Sequence, residues 1–220
     1  MDNYIRSYCS IEPGCVWLNG EKYFEYKRKP FVINDFLSAL YKHMGTDYRK
    51  FYKMDALSGL GFLASEILLA GSDREQPKTD MGIILFNKSS SLEADMNYQK
   101  TIQNKDDFFP SPADFVYTLP NIVTGEIALR NKIYGETMFY VAAHLMTDSM
   151  MEVIDDALYA SGMKCVLAGW TEVGAVDNTL ECVMTLCTSK RTGLPAGLEN
   201  IRTGESMILS ESRLANLYDY

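Results

Sequence analysis

Residues 134–149 read YGETMFYVAAHLMTDS. From Thr137 to Ala142 the side chains are apolar in a short continuous run, typical of a strand buried on both faces. The run stops at His144 and gives way to a helical pattern. In MMEVIDDALYASG, residues 150–162, that pattern continues until Gly162, which suits a helix C-terminus. A second apolar run, KCVLAGW (164–170), follows at once. Strand, crossover helix and strand predict a parallel pair and an α/β fold.

Outward from this unit the same two periods recur. MGIILFN (81–87), after the polar loop SDREQPKTD, is another short apolar run with strand character. Upstream, KMDALSGLGFLASEILLAG (53–71) carries Met54, Leu57, Leu60, Leu63, Ala64, Ile67 and Leu68 at helical spacing. Asp55 is placed to start that helix and Gly71 to close it. CVMTLCTS (182–189) follows the turn-rich GAVDN closely enough to run antiparallel to its predecessor. VWLNGEKYFEYK (16–27) predicts one or two short strands around Asn19-Gly20. The tail holds Gly193, Pro195, Gly197 and Gly204 and a last possible strand in SMILSES (206–212). Nothing divides the chain, so residues 1–220 are expected to form a single domain.

Charge and composition exclude several classes. The 21 basic and 29 acidic residues leave a net charge of −8, with no basic run to track phosphates. No nucleic-acid partner is expected. No stretch approaches the ~20 apolar residues that span a membrane, and MDNYIRSYCS lacks the pattern of a signal peptide, so no membrane partner and a soluble, cytoplasmic protein are expected. The five cysteines, at 9, 15, 165, 182 and 187, show neither a disulfide framework nor metal-ligand spacing with histidine. Reduced structural thiols, no metal and no cofactor are the expectation. Ser89, Ser90 and Ser91 sit in no nucleophile elbow and are read as a polar loop.

The stretch FPSPADFVYTLPNIVTGEIALRNKIYGE (109–136) carries Pro120, Asn121, Gly125 and Gly135 in the register of a Pro-Asn helix start, a Gly-containing helix and a turn feeding a strand. In this it resembles the β-ketoacyl-[acyl-carrier-protein] synthases, a thiolase-like family. KMDALSGLGFLASE resembles the family's early amphipathic helix, MGIILFNKSSSL its second core strand and loop, and KCVLAGWTE the strand ending in Gly-Gly-x-Glu. Together these stretches cover roughly residues 50–175.

The resemblance implies half of a thiolase-like fold: a mixed, mostly parallel sheet flanked by helices. It places the family's nucleophilic cysteine at His144. Imidazole cannot form the thioester, although it can donate a hydrogen bond to an acyl carbonyl or a malonyl carboxylate. The family's second half supplies two further histidines, and the only other histidine here is His43, read as a surface residue at a helix end. Glu126 and Glu172 fall in motifs that are structural in the family.

A cysteine-lacking half resembles the chain-length-factor subunits that pair with an active synthase, including the short forms of aryl-polyene and flexirubin-type pathways. That likeness implies a full-length synthase as heterodimer partner, or a self-dimer, with the acyl carrier protein docking on the partner. It places the subunit interface on Met138, Phe139, Tyr140 and Val141, and a gate at the end of the acyl tunnel on Asp114, Phe115, Val116 and Leu119, within Ala113–Leu119. The alternative is a stand-alone enzyme acting on acyl- or malonyl-carrier protein through His144, as decarboxylase, hydrolase or divergent 3-oxoacyl synthase.

Overall fold

A computed structural model describes residues 3–189 and 194–218; Gly193 of the predicted turn-rich tail lies outside them. In chain order the elements are β1 (Asn3–Glu12), β2 (Cys15–Leu18), β3 (Glu21–Glu25), α1 (Ile33–Met44), α2 (Ala56–Leu68), β4 (Met81–Asn87), α3 (Leu92–Ile102) and α4 (Pro112–Val116). There follow α5 (Ile122–Asn131), β5 (Thr137–Val141), α6 (Thr147–Tyr159), β6 (Cys165–Val173), β7 (Leu180–Ser189), β8 (Met207–Ile208) and α7 (Glu211–Tyr218).

The local signals hold at most of these elements. Asp55 caps α2, its carboxylate accepting from the Ser58 amide at 3.0 Å. All of α2 is buried, as an all-round apolar helix requires. Asn19 and Gly20, with φ of 53° and 81°, make the left-handed pair that a two-residue hairpin needs, and β2 and β3 pair across it. Gly162 ends the α6 region at a φ of 74°.

The eight strands form one sheet in the order β3-β2-β1-β7-β6-β4-β5, with β8 on β1. β4 pairs in parallel with β5 and β6, whereas β1 with β2, β7 and β8, β2 with β3, and β6 with β7 are antiparallel. The sheet is mixed, as expected, but the expected mostly parallel pairing is corrected: two of the seven pairings are parallel. The reason is β1, a strand the periodicity did not announce, which inserts beside β7 and brings the β2–β3 hairpin with it.

A second correction concerns the crossover. β5 and β6 run parallel but do not touch, because β4 lies between them. A third concerns TMFYVA, whose apolar run reads as buried on both faces; β5 is instead the sheet's edge, the place the family resemblance implies for it, with Thr137, Met138 and Val141 exposed. Of SMILSES only Met207 and Ile208 are strand, and α7 begins at Glu211.

Each sheet face carries its own core. On one, α1, α2 and α5 pack Leu40, Leu60, Leu63 and Ile127 over Ile83, Leu85, Leu167 and Met184. On the other, α6 and α7 bring Met150, Ile154 and Leu214 onto Ile84, Val166, Ala168 and Ile5. Gly169 of β6 is required by the close approach of β7: a Cβ there would sit 2.3 Å from the Val183 carbonyl oxygen.

The loop between α2 and β4 is held from within. Lys78, predicted as loop polarity, is wholly buried, and its Nζ donates to the carbonyls of Asp73 (2.7 Å), Gln76 (3.1 Å) and Asn131 (3.0 Å). Three carbonyls satisfy all three ammonium protons, so the charge is buried with a full set of acceptors. No helix among the described residues is long and apolar enough to cross a membrane.

Candidate functional site

The C-terminal end of β4 organises the region around His144. Asn87, fully buried, makes a reciprocal pair of bonds with Ser90: its Nδ2 donates to the Ser90 carbonyl (2.8 Å) and its Oδ1 accepts from the Ser90 amide (3.0 Å). Glu172 Oε2 accepts from the amides of Lys88 (2.7 Å) and Ser89 (3.1 Å). Glu172, read as structural, anchors this loop, to which Ser89 and Ser90 belong. Across the strand, the Ala142 amide donates to the Asn87 carbonyl at 2.8 Å and ends β5.

His144 lies in the loop between β5 and α6, at the strand-to-helix junction where the sequence register puts it. It precedes the first residue of α6 by three positions and is exposed. No hydrogen bond, ion pair or ring contact holds it among the described residues. An imidazole without an orienting carboxylate or carbonyl lacks the fixed tautomer that general acid-base work requires. His43 is likewise exposed, its ring 4.9 Å from Phe24 and 5.6 Å from Tyr23.

No thiol replaces it. Cys165 pairs with Met81 at the opposite end of β4 from Val141, which pairs with Asn87. Six residues of strand, ~20 Å, separate the two ends. Burial pushes Cys9 and Cys165 well above the ordinary thiol range and Cys182 and Cys187 up to about 12. These four side chains are protonated, inaccessible core residues. Among the described residues no group of three or more His, Cys, Asp or Glu side chains is placed to hold a metal.

The predicted interface residues divide by the pleat of β5. Phe139 turns toward the core of α2 and α5 and is half-buried against it. Tyr140 turns the other way and stacks on Phe86 at 4.8 Å, with its hydroxyl 2.8 Å from Met138 Sδ. Val141 is 55% exposed. The outer edge of β5 has no strand partner among the described residues, so its backbone groups on that side stand open.

The predicted gate residues lie on and just after α4. Ser111 caps the helix, its Oγ accepting from the Asp114 amide at 3.2 Å. Asp114, Phe115, Val116 and Leu119 are all exposed, Phe115 by 54% with its ring 5.4 Å from Tyr98. Asp114 also borders a polar cavity of about 200 Å³ shared with Asp55, Glu93 and Tyr117.

Sequence reasoning did not single out Tyr117, which fixes the α4 segment to the core. It is buried, and its hydroxyl donates to Glu126 Oε1 at 3.4 Å, while Lys50 Nζ reaches the same oxygen at 2.8 Å. Burial, then the Glu126 charge, raises the Tyr117 pKa. The structural role read for Glu126 is therefore specific: it ties α5 to the end of α4. Only the phenol's position one residue after a capped turn could have marked it.

Ten of the seventeen large apolar side chains exposed among the described residues fall between Phe108 and Met146. The predicted gate residues, the outer side of α5 and the edge strand β5 thus each expose large apolar side chains, of the kind that mark interaction sites where they form a patch.

No family profile and no curated protein sequence matches the chain. Solved structures do. The ishigamide ketosynthase/chain length factor superposes with a TM-score of 0.63 at 15% identity, over 89% of this chain and 64% of that one. The ketosynthase ApeO in complex with its chain length factor ApeC, from Xenorhabdus doucetiae, gives 0.54 at 14% identity, over 88% of this chain and 80% of that one. AntDE:AntF, a type II polyketide acyl carrier protein in complex with its ketosynthase, gives 0.55 at 11% identity, over 86% and 63%. The chain thus spans under two thirds of the first and third of these. At such identities the likeness is one of fold: a thiolase-like mixed sheet flanked by helices, as in ketosynthases and chain length factors.

Proposed function

We propose that this chain, as one β-ketoacyl synthase N-terminal-like domain, is a non-catalytic partner of a β-ketoacyl synthase and acts as a chain length factor in fatty acyl or polyketide assembly, with aryl-polyene formation as the narrower assignment. The observation that carries the reading is the open apolar edge of β5, which ends at a junction holding His144 where a thiol would be needed. The likeness to structures containing chain length factors supports it. A full-length synthase covers the edge and supplies the Cys-His-His chemistry, and the acyl carrier protein, itself acidic, docks on that partner rather than on a chain of net charge −8.

The stand-alone enzyme on His144 has no comparable support, since nothing among the described residues orients the imidazole. Co-expression with the cognate full-length synthase tests the proposal. The expected result is a stable heterodimer that condenses, a purified single chain that does not, and a His144→Cys chain that stays inactive alone. An acyl-enzyme adduct on the wild-type single chain, detected by mass spectrometry, would refute it.

A further inference from the structure

Beside the open edge of β5 lies a groove of about 270 Å³ between that strand and α6. Its floor and wall are apolar, formed by Met138, Tyr140 and Val153, with Tyr140 immobilised against Phe86. Its rim is acidic: Glu136 precedes β5, and Glu152 and Asp156 stand one turn apart on α6. Glu152 and Asp156 are exposed and Glu136 is half-exposed. None of the three carboxylates has an ion pair or hydrogen bond to a described side chain. Three unpaired negative charges thus converge on an apolar slot that opens along unsatisfied strand backbone.

We infer that this groove receives a lysine or arginine side chain from the edge strand of a different chain, and that the same charges exclude a second copy of this one. The inference rests on the pairing reading above and names the chemistry of the partner. A strand laid along β5 presents alternate side chains to the α6 face, directly over Met138 and Tyr140. A cationic head with an apolar stem fits both the floor and the rim, and a guanidinium can bridge two of the carboxylates.

A second copy would be seated by a two-fold axis, which places the same patch on both subunits. The two grooves would then adjoin across the axis and crowd three carboxylates from each copy around one gap. Like charges so enclosed oppose association and are relieved by salt, whose screening length falls from ~10 Å at 0.1 M to ~3 Å at 1 M. The rim is therefore the repulsive element that specificity between alternative partners calls for.

The triple variant Glu136→Gln, Glu152→Gln, Asp156→Asn tests this, since it removes the charges at positions outside the core. By sedimentation, the wild-type chain should stay monomeric at low salt and pair only as salt is raised. The variant should self-associate at low salt at least ~10-fold more tightly, a gain within the usual range for removing facing like charges. Titrated with the cognate synthase, the variant should bind ~10-fold or more weakly and lose most of the wild type's salt dependence. A variant as monomeric as wild type that also binds the synthase with unchanged affinity and salt slope would overturn the inference. Failure of wild type and variant alike to bind the synthase would instead refute the pairing reading, and the sedimentation result would still decide whether the rim excludes a second copy.

Discussion

Removing the Phe115 ring should change what the complex makes while leaving this chain folded. The ring is 54% exposed and pairs with that of Tyr98, at 5.4 Å between centroids. With about half of its surface already in water, truncation to Ala costs roughly 1 kcal/mol of burial and up to about 1 more for the aromatic pair. The backbone does not depend on it. Tyr117 and the Ser111 cap hold α4, and Ser91 Oγ donates to the Thr118 carbonyl at 2.7 Å. On the partner's side the vacated ring volume admits further methylenes of the growing chain, each worth ~0.8 kcal/mol when buried. One extension cycle adds two carbons, so the next-longer product gains about 1.6 kcal/mol, a shift of ~15-fold in its partition. The assay is co-expression of Phe115→Ala with the cognate synthase, chain lengths being read by mass spectrometry. Products longer by one or two cycles are expected. Unchanged lengths at reduced yield would show that Phe115 is interface packing and that the gate lies elsewhere.

Two further predictions concern groups that hold the site in place. Burial raises the Asp55 pKa from 3.8 to about 6, with the Glu93 charge adding to the rise and the Ser58 hydrogen bonds opposing it. The folded chain therefore holds this proton more tightly than the unfolded one, so the contribution of Asp55 to stability is full below pH ~4 and lost as pH rises through 6. Asp55→Asn, which keeps the cap acceptor, should melt with wild type near pH 4 and be more stable near pH 7.5 by on the order of 2 kcal/mol; curves that stay parallel across that range would refute this. Lys78→Met leaves the Asp73, Gln76 and Asn131 carbonyls without their shared donor and should cost ~3–5 kcal/mol by urea unfolding, whereas a loss below ~1 would mean that the loop finds other donors.

Local chemistry determined much of this molecule. The extent of β4, the Asp55-capped α2, the Asn19-Gly20 hairpin and the placement of His144 at a strand end all follow from periods, caps and turn residues within a dozen positions. The strand character of Thr137–Val141 was legible for the same reason, being contiguous. The sheet's order was not. β1 shifts register between Ile5 and Ser7, and the shift turns Ile5 to the α6 face while Cys9 and Ile11 face α2, so no single alternation runs through the strand. Its partner β7 lies more than 170 residues away, beyond any local signal. Lys78 looked like loop polarity because its three acceptors come from two separate segments. The acidic groove has the same origin: Glu152 and Asp156 were visible as one face of a helix, but only the packing of α6 over β4 and β6 sets them beside Glu136 at the open edge, because charges distant along the chain act together only where the fold brings them within a screening length of one another.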